Sequence, residues 1–250
     1  MNYQIKWLTA CASVFFVAQA HAQHSDITFD VDSNNQLVIE AEPHDHGGGG
    51  EEHVGPVFTT DGKWLFEADF GDFFGGDYKT DDPGFATHED TGVLNAGEII
   101  GFEGFGTLRY WDPLSLSWTT STTDTVTIED INSAQTLFDS TGVTPGSTTY
   151  IDQAGSLGGL HAHVDFLINS DADIGAYLIE LSLIGLDSTG TNEVYTASDS
   201  FYIAFNNGLS EAAYEQSIDA LAAVPVPGAA VLMLSALSAL GLVGRKRRQK

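Results

Sequence analysis

The sequence predicts an all-β protein, a single antiparallel β-sandwich closed by one short C-terminal helix. Short segments of alternating apolar and polar residues recur between clusters of Gly, Asn, Asp and Pro, the pattern of half-buried strands joined by turns. Helical periodicity is almost lacking before residue 210. Once an apolar segment at either end is set aside, residues 23–223 remain, enough chain for one sandwich with a proper core.

The first two strands, residues 27–32 and 36–40, read as a hairpin around Ser33-Asn34-Asn35. Asp30, Asp32 and Asn34 mimic the opening of a calcium loop, but the glycine such a loop requires is absent, so the turn reading is preferred. Further strands are expected at residues 64–69, 98–102, 107–111, 125–129, 163–168, 177–186 and 200–205. Gly101-Phe102-Glu103-Gly104-Phe105-Gly106 reads as a turn between two of them. Residues 70–96, rich in Gly, Asp and Phe, read as a long irregular stretch of the kind that is functional or mobile. Near the end, Ser210 can cap a helix, Glu211 and Glu215 sit at its positive end, and Tyr214, Ile218, Leu221 and Ala222 form one stripe. So many strands and so little helix point to a Greek-key or Ig-like arrangement.

The two ends carry their own signals. Residues 1–6 hold one positive charge at Lys6, residues 7–18 are largely apolar, and Ala20-His21-Ala22 offers a small-x-small cleavage site. That order describes a secretory signal peptide, residues 1–22, removed by signal peptidase before Gln23. A rival is a lipoprotein signal at Leu8-Thr9-Ala10-Cys11, disfavoured because the apolar run continues past Cys11. At the other end, residues 224–250 run from Val224-Pro225-Val226-Pro227-Gly228 through the apolar stretch 229–243 to the basic cluster Arg245, Lys246, Arg247, Arg248 and Lys250. Fifteen helical residues reach about 22 Å, marginal against a hydrocarbon core of about 30 Å. The basic cluster would hold the tail on the cytoplasmic side of the inner membrane and leave the rest outside, as a transient anchor. An ordinary single-span tail anchor is the plainer reading of the same layout.

Charge is lopsided between these parts. The chain has 9 Lys and Arg against 35 Asp and Glu, a formal net charge of −26. Lys6 and the basic tail lie outside residues 23–223, where Lys63, Lys79 and Arg109 face all of the carboxylates. Such a surface repels phosphate backbones, which argues against a nucleic-acid partner, and it draws in cations; solubility in a salty exterior explains most of the acids without further function. The single cysteine, Cys11, lies in the leader, so the exported part has no disulfide or thiol chemistry.

The residues most suggestive of chemistry are histidines. In Gly159-Leu160-His161-Ala162-His163-Val164-Asp165-Phe166, strand alternation puts His161, His163 and Asp165 on one face. Same-face neighbours lie about 6.6 Å apart, a spacing from which two imidazoles can converge on one ion. A second set, His44, His46 and His53, lies in a loop with four consecutive glycines and two glutamates. Imidazole suits Zn2+, whereas Ca2+ takes about six to eight oxygens, so zinc is expected over calcium. The bland alternative is that His44, His46 and His53 belong to a solvated linker and that His161 and His163 are half-buried strand residues. Sequence alone leaves open whether the two His-x-His sets meet.

The tail, with its Pro225 and Pro227 box, apolar helix and basic end, resembles the PEP-CTERM sorting signals of Gram-negative bacteria, in the Val-Pro-x-Pro variant. It departs from Pro-Glu-Pro in having no Glu between the two prolines. The resemblance implies cleavage by an exosortase and delivery to the cell surface or extracellular matrix, often with exopolysaccharide. The histidine segments, with Gly175-Ala176-Tyr177-Leu178 and residues 201–208, resemble zinc-regulated PEP-CTERM and choice-of-anchor surface proteins. That likeness implies a β-sandwich tied to zinc homeostasis or a metal-uptake system, with His44, His46, His161 and His163 as matching positions.

An enzyme has little support, since no Gly-x-Ser-x-Gly elbow, His-Glu-x-x-His helix or phosphate-cradling glycine loop is present. The expectation is a non-enzymatic surface protein for metal capture or buffering. The alternative is a structural or adhesive matrix protein that stacks sugars on Tyr110, Trp111 and Trp118, although tryptophans in a sandwich more often serve the core.

Overall fold

A computed structural model describes residues 26–40, 57–71, 76–121 and 123–222. The chain begins with β1 (Ile27–Val31), β2 (Leu37–Glu40), β3 (Val57–Phe58), β4 (Trp64–Asp69), β5 (Lys79–Thr80) and β6 (Phe85–Thr87). It continues with β7 (Ile99–Asp112), β8 (Ser117–Thr120), β9 (Val126–Glu129), β10 (Gln135–Asp139), β11 (Gly142–Thr144) and β12 (Tyr150–Gln153). Then follow β13 (His161–Ala162), β14 (Asp165–Ile168), β15 (Gly175–Leu186), β16 (Glu193–Tyr195), β17 (Phe201–Asn207) and the helix α1 (Glu211–Asp219). The protein is therefore all-β with one short helix among the described residues, as its sequence predicts.

The strands form three sheets. The largest has eight strands, with β12-β7-β15-β17-β4-β3 in order and β8 and β16 paired beside it; a five-stranded sheet runs β11-β10-β9-β14-β5, and a four-stranded one β13-β6-β1-β2. Most pairs are antiparallel, but β1 runs parallel to β6 and β17 parallel to β4. One core joins all three sheets in a sandwich-like arrangement: Ile27 and Phe29 from the small sheet, Ile128, Phe138 and Phe166 from the middle one, and Ile179, Leu181 and Phe205 from the large one. Each such side chain taken from water contributes about 1.5–3 kcal/mol.

Both faces of the large sheet are covered. Tyr177, Ile179, Leu181 and Leu183 point to the common core, whereas Ala176 and Leu178 point the other way, toward a second cluster with Trp111, Tyr202, Tyr214 and Ile218. That is why β15 and β17 are apolar almost without interruption, like strands buried on two sides. Helix α1 builds this second cover. Ser210 occupies its N-cap, although its hydroxyl makes no capping hydrogen bond. Tyr214, Ile218 and Leu221 of the expected stripe are buried, and the Tyr214 hydroxyl donates to the Ala204 carbonyl at 2.8 Å.

Local chemistry explains the first hairpin. The Asp32 carboxylate accepts from the backbone N–H of Gln36 at 2.9 Å and of Asn34 at 2.8 Å, while Asn35 takes φ +64. The Gln36 bond, joined by those from Asn34, holds the Asp32 carboxyl below the usual range. The acid serves the turn, in agreement with the preference for a turn over a calcium loop.

Three expectations are corrected. Gly101–Gly106 is not a turn, because β7 runs unbroken through it for 14 residues. Its glycines permit close approach: a Cβ on Gly104 would lie 2.5 Å from the Phe138 ring, and one on Gly101 2.5 Å from the Thr149 carbonyl oxygen. Gly106, at φ +69, lies where the register with β15 shifts between Leu178 and Glu180. Residues 70–96 are only partly irregular, since they contain β5 and β6 and bury Phe70 and Phe85. The strand expected at 163–168 starts later, at Asp165, as β14 of the middle sheet, while His161 and Ala162 form a separate strand, β13, paired with β6 in the small sheet.

Candidate metal centre

The small sheet sets its residues by register. His161 on β13 lies opposite Ala86 on β6, and Ile27 on β1 lies opposite Phe85. The Ile27 N–H donates to the Gly84 carbonyl at 2.8 Å, so Asp26, Gly84 and His163 meet at one end of the sheet. Strand alternation does what the sequence predicts for the histidines: His161 and His163 are exposed while Ala162 and Val164 are buried.

Asp26, His161 and His163 bring three ligand atoms within 4.8 Å of one another. Asp26 Oδ2 lies 3.0 Å from His161 Nε2, and the two imidazole rings are 5.3 Å apart between centroids. Two ligands at about 2.0–2.1 Å from a tetrahedral zinc stand about 3.3 Å apart. The Asp26–His161 pair is thus near the required separation, and the third donor lies within 4.8 Å of the other two. Asp26 is 8% exposed and the histidines 51% and 36%, so the site has a buried acid as floor and an open mouth.

His163 is oriented by its other nitrogen. Its Nδ1 lies 2.8 Å from the Asp81 carbonyl oxygen, which can only accept, so Nδ1 carries the proton and Nε2 presents its lone pair. The edge bearing Nε2 leans over Gly84. A Cβ built there would lie 2.6 Å from Asp26 Oδ1 and from His163 Cε1, and 2.8 Å from His163 Nε2. Only glycine leaves this space. Gly84→Ala is expected to displace two flexible ligand side chains rather than backbone, weakening zinc affinity about tenfold while the protein melts within a few degrees of the wild type; calorimetric titration and a thermal melt read the two effects.

Other expected ligands fare differently. Asp165 shares the sequence pattern but sits past the break between β13 and β14, where its carboxylate pairs with Lys79 Nζ at 2.6 Å. His44, His46 and His53 lie outside the described residues, as do Ala20, Ala22, Pro225, Pro227, Arg245, Lys246, Arg247 and Arg248. Among the described residues no helix is long and apolar enough to cross a membrane. Asp26, Asp81 and Gly84 were not legible as site residues, because the parallel pairing of β1 with β6 brings them to the histidines from distant parts of the chain.

The aromatic residues considered for sugar stacking serve packing. Trp111 is 2% exposed in the cluster under α1, and the Trp118 indole N–H donates to the Ser217 carbonyl at 2.9 Å. Tyr110 is half-buried against Tyr177, with ring centroids 5.5 Å apart. No family model, no curated protein and no solved structure matches this chain.

Proposed function

We propose that the protein is an exported, surface-directed and non-enzymatic β-sandwich that binds a zinc ion through Asp26, His161 and His163 for metal capture or buffering. The convergence of two imidazoles and one buried carboxylate over Gly84 is the observation that carries this reading. Two nitrogens and one carboxylate oxygen form a borderline donor set, suited to zinc more than to calcium. Among the described residues the site offers three ligand side chains and an open mouth. The acidic surface raises the local concentration of cations around it. The leader-like residues 1–22 and the Pro box, apolar stretch and basic end of residues 224–250 support export, exosortase processing and a transient stay in the inner membrane.

Zinc titration of the metal-stripped protein by calorimetry tests the reading. A tight phase is expected near pH about 8, weakening strongly toward pH about 5, because imidazole ligates only when neutral. Binding no stronger than calcium binding to the same acidic surface would overturn it and favour a matrix protein without a metal role.

A further inference from the structure

We infer that the outward face of the small sheet holds a second divalent cation, between His88 and Glu40, one row of residues away from the Asp26–His161–His163 centre. Ile27 and Phe29 on β1 are fully buried in the core, so their alternates Asp26 and Thr28 point outward. Register places His161, Ala86, Thr28 and Glu40 side by side across the four strands. Past the end of β6, the His88 N–H donates to the Phe29 carbonyl at 2.9 Å, which fixes the residue beside β1. The His88 imidazole and the Glu40 carboxylate then meet over β1, approached from the strands on either side of it.

Their contact does not behave as a finished hydrogen bond. His88 Nδ1 lies 2.8 Å from Glu40 Oε2, yet it is buried with no aligned hydrogen-bond partner. The Thr28 hydroxyl, in a residue only 1% exposed, is buried and has no hydrogen-bond partner among the described residues, and Thr28 lies directly opposite Glu40. Buried polar groups left unpaired cost free energy, so two of them beside one carboxylate mark a place where a polar occupant is favoured. A cation accepts the imidazole lone pair and the carboxylate, and its hydration water gives Thr28 a partner. Separating Nδ1 and Oε2 by about half an ångström suffices to seat a zinc-sized ion. With two protein ligands instead of three, this position binds more weakly than the triad, and its existence does not depend on the triad.

Calorimetric titration of the metal-stripped full chain with zinc, at fixed ionic strength and with excess calcium to occupy ordinary surface carboxylates, tests the inference. Two phases are expected. The His88→Ala, Glu40→Gln variant loses the weaker phase and keeps the tight one, while the His161→Ala, His163→Ala variant loses the tight phase and keeps the weaker one. Both His88 and Glu40 are about a third exposed, so circular dichroism should show an unchanged β fold in the first variant. Zinc binding that is unchanged in the His88 and Glu40 variant, whether the wild type shows one phase or two, overturns the second site. Loss of the weaker phase in that variant, with no tight phase in any protein, supports this site and removes the triad instead.

Discussion

The His161→Ala, His163→Ala variant is expected to lose tight zinc binding, by at least about a hundredfold, and to keep its fold. On the proposed reading each imidazole would be a direct ligand, and even outer-shell groups at metal sites are worth about 10–100-fold in affinity. With both rings gone, the buried Asp26 carboxylate is the only remaining member of the triad, and one carboxylate does not hold zinc tightly. Stability should fall by about 1–3 kcal/mol, because the buried Asp26 carboxylate loses His161 at 3.0 Å, while both histidine side chains are themselves substantially exposed. Calorimetry on the metal-free variant, with a thermal melt alongside, checks both halves. Affinity unchanged from wild type would remove His161 and His163 from the metal site altogether.

The largest loss of stability is expected from Phe205→Ala, about 3–5 kcal/mol. Phe205 is fully buried on β17 in the middle of the large sheet. Its ring stacks on Phe70 at 4.8 Å and tilts against Phe166 at 5.1 Å, so it joins the large sheet to the β4–β5 connection and to β14 of the middle sheet. Truncation leaves a cavity that three separate elements would have to collapse to fill. A domain's whole stability is about 5–15 kcal/mol, so the variant should unfold at a much lower denaturant concentration. Phe58→Ala, removing a ring that is 47% exposed, should cost under about 1 kcal/mol. Equal effects of the two substitutions in urea unfolding would show that the core is not organised around Phe205.

Where a strand is long or strongly patterned, its sequence announces it. Residues 64–69 coincide with β4, the expected 177–186 lies within β15, and 200–205 overlaps β17 from Phe201 onward. The nine strands without an expected counterpart, β3, β5, β6, β8, β10, β11, β12, β13 and β16, have at most five residues each. Two to five residues hold too few alternations to stand out, and such strands exist because a neighbour pairs with them. Glycine misled for a related reason. In Gly101–Gly106 it permits close packing against Phe138 and Thr149 in mid-strand, while a local reading takes it as punctuation.

The sequence by itself determined the all-β class, the helix from Ser210 onward, the acidic surface and the outward face shared by His161 and His163, because periodicity and capping act between residues a few positions apart. Which carboxylate joins the two histidines was decided only in three dimensions. Asp165, two residues beyond His163, turns into another sheet and pairs with Lys79, while Asp26 arrives from the other end of the domain. The physical reason is the pairing of β6 with β1 on one side and with β13 on the other: backbone hydrogen bonds such as Ile27 to Gly84 are made between segments that no local pattern links, and together they bring a carboxylate, a bare glycine and two imidazoles to one point.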